Sequence, residues 1–152
     1  MIEYIISQGM SSTIMMSIIT LVILSLMDIK TKKIAIPMIG IVSVYGLINQ
    51  LLSAQSIKHT ICNILITIVL TALFLVITYV TKEQLGMGDG FVFLMLALLN
   101  SWYMAISIYL VAFMLTGFVG LFIIAFCHKA RKMTIPFIPF VTMTYLVFVF
   151  VR

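Results

Sequence analysis

Carboxylate chemistry in this chain can come from four side chains only: Glu3, Asp28, Glu83 and Asp89. The two aspartates stand at the edges of long apolar runs, Asp28 closing the first and Asp89 opening the fourth. Two carboxyl groups brought together can divide a hydrolytic task. One, ionised, activates a water; the other, protonated, donates to the carbonyl under attack. Like charges in close contact do not both ionise cheaply, so such a pair holds one proton and titrates as a unit. Each aspartate also has an ordinary reading. Asp28 precedes Lys30, Lys32 and Lys33 and reads as interfacial charge. Asp89 follows a glycine and reads as a helix N-cap. Two features favour pairing. These are the only aspartates in the chain, and Asp89 lies in Gly86-Met87-Gly88-Asp89-Gly90. Glycines at Gly86, Gly88 and Gly90 permit close backbone approach and unusual dihedrals, which suits a site where an extended peptide lies against the main chain.

Other chemistries find little support. Glu83 sits beside Lys82 and reads as a solvated loop charge. His59 and His128 lack a second histidine or a carboxylate at ligand spacing, so no metal site is expected. No Gly-x-Ser-x-Gly occurs. Cys62 and Cys127 form no Cys-x-x-Cys and are expected on opposite membrane faces, hence as free thiols. The net charge of +5 is scattered between apolar runs, without the basic stripe that nucleic acid requires. No cofactor is implied.

The elements that must position the aspartates follow from composition. The chain is 64% hydrophobic and 9% charged, against roughly 25% charged in a soluble domain. Lipid is therefore the solvent of much of its surface. A spanning helix needs about 20 mainly apolar residues, and polar punctuation divides the chain into spans at 4–27, 34–53 and 60–80, an uncharged stretch at 91–126, and a last span at 135–151. As one helix, 91–126 would be about 54 Å long, too long for one crossing. It is expected to hold two helices broken at Asn100-Ser101-Trp102. The reading is all-α: a polytopic membrane bundle of about six transmembrane helices, forming one domain over 1–152. The N-terminus carries Glu3 and no basic residue, unlike a cleavable signal.

Charge sets the expected orientation, because cytoplasmic loops are enriched in Lys and Arg. In a six-span layout one face holds Lys30, Lys32, Lys33, Lys82, Lys129, Arg131 and Lys132; the other holds Lys58 and Arg152. Both aspartates fall on the basic face, which is the expected cytoplasmic side, with both termini outside.

Gly86-Met87-Gly88-Asp89 resembles the GxGD motif of polytopic membrane aspartyl proteases. Asp28-Ile29-Lys30-Thr31-Lys32-Lys33-Ile34, at the end of a span, resembles the short, methylase-lacking prepilin peptidases. Ile135-Pro136-Phe137-Ile138-Pro139-Phe140 resembles the Pro-Phe-Gly-Pro-Phe segment of their last span. The chain departs from that pattern at Ile34-Ala35-Ile36, where the family has Ile-Pro-Asn and Pro37 comes two places late, and at Phe91, where Lys is common. The resemblance implies an aspartic-type endopeptidase with Asp28 and Asp89 as the catalytic pair. Its substrate would be a prepilin or pseudopilin, cut at the junction of leader and apolar helix at the cytoplasmic boundary of a bacterial plasma or inner membrane. It implies cleavage without methylation, because the Cys-x-x-Cys region of the bifunctional members is absent. Pro136 and Pro139 are expected to shape the last helix. Three alternatives stand beside this: a transporter or assembly subunit using intramembrane acids, a preflagellin or signal-peptide type of GxGD protease, and an inactive member.

Overall fold

Each apolar run becomes a helix. The computed structural model describes residues 2–31, 35–52, 56–80, 87–126 and 136–151. They form α1 (Ile2–Thr31), α2 (Ile36–Leu52), α3 (Ile57–Val80), α4 (Met87–Leu99), α5 (Trp102–Phe126) and α6 (Ile138–Val151), and no strand occurs among the described residues. The uncharged stretch does break where expected. Asn100 closes the last turn of α4, its N–H donating to the Leu96 carbonyl at 3.0 Å, and the chain restarts from Ser101. Cys62 is a free, exposed thiol, while Cys127, Glu83, His128 and Gly86 lie outside the described residues.

Both aspartates prove to lie inside helices. The first run continues past Asp28 to Thr31, with Lys30 in its last turn, where a cation complements the negative helix end. Thr31 caps it by donating its hydroxyl to the Met27 carbonyl at 2.9 Å. The fourth run starts at Met87, two residues before Asp89.

Helices α1, α3 and α5 contain stretches long and apolar enough to cross a membrane: Ser12–Thr31, Ile57–Val80 and Trp102–Ile123. The other three are apolar but shorter. The 13 residues of α4 rise about 20 Å, less than a hydrocarbon core of about 30 Å.

The distribution of polarity identifies the solvent. The buried stripe of α3 is Thr67, Thr71 and Thr78, while Leu65, Val69, Leu73 and Val76 are among its exposed side chains. A helix in water would invert that arrangement. In lipid, dispersion and close backbone approach replace the hydrophobic drive between helices, so small and hydroxylated residues face inward. No water is present to satisfy the hydroxyls, and they bond to the preceding turn: Thr67 to Asn63 O, Thr71 to Thr67 O and Thr78 to Phe74 O, all at 2.8–2.9 Å. The protein is a helical membrane bundle.

Helix α4 is its axis, buried almost all round, and packs most extensively on α2. A Cβ on Gly46 of α2 would stand 3.1 Å from the backbone of Leu98 and Leu99, so the missing side chain is what lets these two backbones approach. Helix α1 packs mainly on α6. The pair is antiparallel: Asp28 lies by Ile138, while Leu21, two turns earlier, lies by Thr142, whose hydroxyl sits 3.2 Å from the Leu21 carbonyl. The end of α1 and the starts of α4 and α6 thereby share one end of the bundle.

Candidate active site

At that end the first residues of α6 connect the two aspartates. Pro136 and Phe137 lead into the helix, and Phe137 caps it, its carbonyl accepting from the Phe140 and Val141 amides at 3.0 and 3.3 Å. Pro139, in the first turn, has the fixed φ that a helix start tolerates and lacks an N–H the helix would leave unpaired. The Ile138 N–H is one of the orphan donors of a helix N-terminus. It points across to α1 and donates to Asp28 Oδ2 at 3.3 Å. A carboxylate is well suited there, because the helix N-terminus carries partial positive charge. Asp28 is only partly buried.

Asp89 is buried, 7% exposed, in the first turn of α4. Its backbone carbonyl accepts the Tyr109 hydroxyl of α5 at 2.7 Å. Tyr109 is itself enclosed by rings. It meets Phe93 edge to face with centroids 5.1 Å apart, Phe74 at 5.8 Å and Phe137 at 5.6 Å; Phe137 in turn stacks on Phe113 at 4.7 Å. Such pairs contribute roughly 0.5–1.5 kcal/mol each beyond their buried area. Neighbouring residues of one strand of chain thus serve both acids: Ile138 contacts Asp28 directly, and Phe137 buttresses the tyrosine that holds the Asp89 backbone.

The glycines beside Asp89 differ in their surroundings. A Cβ on Gly90 would meet Leu75 Cδ2 at 2.8 Å and Phe74 Cδ1 at 3.3 Å, so this glycine is occupied by close packing of α3. Gly88 is half-buried in the first turn of α4. Phe91 and Ala35, two of the departures noted in the sequence, are half-buried and pack against the core.

Tyr109 was not singled out by sequence, and Phe137 and Ile138, though inside the motif at 135–140, were not given a part in the site. A tyrosine in the midst of an uncharged helix was the one available signal for Tyr109, since a buried phenol needs a partner. Backbone amides carry no signature. A groove of about 430 Å³, lined by Tyr103, Met104, Ser107, Val147, Phe148 and Val151, opens between the start of α5 and the end of α6. That is the opposite end of the bundle, away from both acids.

The sequence model described as the type IV leader peptidase family matches residues 15–124, a stretch containing both Asp28 and Asp89. No curated protein and no solved structure matches the chain.

Proposed function

Because the chain belongs to the type IV leader peptidase family, and is thus a membrane-embedded peptidase of that kind, we propose that Asp28 and Asp89 are its catalytic pair and that it is an aspartic-type endopeptidase. The observation that carries this is the start of α6: the Ile138 N–H donates to Asp28, and Phe137 packs on the tyrosine that holds the Asp89 backbone. The only two aspartates of the chain are thereby tied to adjacent residues.

In the proposed reaction one carboxylate removes a proton from water as that water attacks the scissile carbonyl. The other carboxyl donates its proton to the carbonyl oxygen. A tetrahedral gem-diol results. Its collapse returns a proton to the leaving amine and leaves the pair holding one proton again. A site at the membrane edge excludes competing water and strengthens every charge interaction in it. The substrate is the leader of a prepilin-like protein, a short polar segment joined to an apolar helix. The excess of basic residues on the aspartate face orients that face to the cytoplasm, where such a leader begins. Gly86 and Gly88 give the leader a backbone to lie against.

The test is co-expression with a panel of tagged prepilins, scored by the gel shift that accompanies leader removal. Wild type should cleave a cognate prepilin, while Asp28→Asn and Asp89→Asn, at equal membrane abundance, should each lose at least ~10³-fold, the scale on which loss of an essential catalytic group registers. Cleavage surviving either substitution would exclude the pair. Gly88→Ala should reduce cleavage far more than it reduces the melting temperature; equal losses would sink the proposed leader contact.

A further inference from the structure

Three turns along α1 and α4 from the aspartates, three helices meet in a directed series of hydrogen bonds. The Tyr145 hydroxyl of α6 donates to Asn100 Oδ1 at 3.1 Å. Asn100 Nδ2 donates to Ser17 Oγ of α1 and to the Leu96 carbonyl, both at 3.3 Å. The Ser17 hydroxyl donates in turn to the Thr13 carbonyl at 2.8 Å. Every donor in the series has an acceptor. Ser17 and Tyr145 are 0% exposed. The acids, some three turns away, touch none of these groups directly.

The spacing gives the cluster its significance. Asp28 follows Ser17 by eleven residues, and Asp89 precedes Asn100 by eleven. Eleven residues of helix make three turns to within about 20° and rise about 16 Å. Each aspartate therefore lies on the same face of its helix as its cluster residue, and equally far along it. Ser17 and Asn100 are in contact, and because α1 and α4 are antiparallel, eleven residues forward on α1 and eleven back on α4 lead toward the same end. Fixing Ser17 against Asn100 consequently brings Asp28 and Asp89 level with each other. Between the two pairs the helical repeat puts Leu21 and Leu24 of α1, and Val92 and Leu96 of α4, on the same faces as the paired residues, and all four are 0% exposed. These four side chains are apolar and form no directional bond across the α1–α4 seam. A slip of one turn along it would keep its burial and would separate the acids by about 5 Å. Among the described residues, the polar cluster at its far end bonds α1 directly to α4 and so distinguishes the registers, much as a single buried polar residue fixes register in coiled coils.

We propose that Asn100, with Ser17 and Tyr145, is a positioning cluster that sets the α1–α4 register and so brings the two aspartates level. The proposal rests on the catalytic reading of Asp28 and Asp89. These residues act through the helices and take no part in the chemistry.

The test reads register and catalysis separately. Purified enzyme in micelles is assayed on a cognate prepilin as wild type, Asn100→Leu, Tyr145→Phe and Thr116→Val, the last removing a hydroxyl on α5 that bonds to Ala112 O, away from the cluster. In parallel, Asp28→Cys and Asp89→Cys are combined in a background of Cys62→Ser and Cys127→Ser, with and without Asn100→Leu. The rate of linkage by a short bismaleimide is then measured. Misplacement of reacting groups by about 1 Å costs about 10²-fold. Asn100→Leu should therefore lower kcat about 10²-fold with KM within twofold. The isosteric Tyr145→Phe, which folds with one hydroxyl fewer, should lower kcat several-fold, and Thr116→Val should not change it. Asn100→Leu should also slow the linkage several-fold. Lowered melting temperatures with unchanged kcat per folded enzyme and unchanged linkage rate would overturn the proposal and leave the cluster as simple glue. Cleavage surviving Asp28→Asn or Asp89→Asn would overturn the catalytic reading and, with it, the cluster's role in catalysis, whatever the linkage shows.

Discussion

Asp28 has two separable duties: it is one member of the proposed catalytic pair, and its carboxylate accepts the Ile138 amide at the start of α6. Asparagine retains a carbonyl oxygen for that amide and loses the charge. Leucine loses both. Asp28→Asn should therefore be inactive yet close to wild type in stability. Asp28→Leu should be inactive and less stable by about 1 kcal/mol, the low end of the cost of stranding a donor, because the position is only partly buried. Thermal unfolding in detergent beside the cleavage assay separates the two. Equal stability of both variants would show that the amide contact contributes nothing. At Asp89 the Tyr109 hydroxyl bonds to the backbone carbonyl, a contact that survives any side chain placed there.

Helix packing turns on which atoms stand opposite each glycine. At Gly46 they are the backbone of Leu98 and Leu99 at 3.1 Å, which cannot move without shifting α4. At Gly90 the nearest atom is the tip of Leu75, a flexible side chain able to change rotamer. At Gly117 nothing lies within 4 Å. Alanine gains up to ~1 kcal/mol of helix propensity at each, against an overpacking cost of about 1–3 kcal/mol where the neighbour is rigid. The expected order of melting temperatures is Gly117→Ala highest, Gly90→Ala near wild type and Gly46→Ala lowest. A Gly46→Ala variant at or above wild type would refute the close α2–α4 approach as a stability determinant.

The molecule as a whole is arranged for lipid: threonines inside α3, leucines and valines outside. Val69, near the middle of α3, is 64% exposed. In water, lysine there would be harmless. In a bilayer it should cost about 2.5–3.5 kcal/mol and sharply reduce the membrane-integrated fraction of newly made protein, whereas Lys58, at the start of the same helix, is native and tolerated. Normal integration of Val69→Lys would mean that this face is not in contact with hydrocarbon.

Composition and run length alone determined the solvent, the helix count and the break at Asn100, because a bilayer tolerates so few backbone solutions that apolar length is nearly sufficient to define them. They also singled out Asp28 and Asp89, since carboxylates are scarce in this chain. Which helices meet was beyond them. Stripes that face lipid and stripes that face protein are both apolar, so periodicity does not show that α4 is the axis or that α6 packs on α1. Helix ends were misjudged by a few residues because charge marks the membrane edge and helices continue through it, as α1 does past Asp28. Only the tertiary structure decided that the Ile138 amide bonds to Asp28, that the Tyr109 hydroxyl bonds to the Asp89 carbonyl, and that Asn100 bonds to Ser17. Those facts are hydrogen bonds between residues 110, 20 and 83 positions apart, and their geometry exists only once the helices have packed.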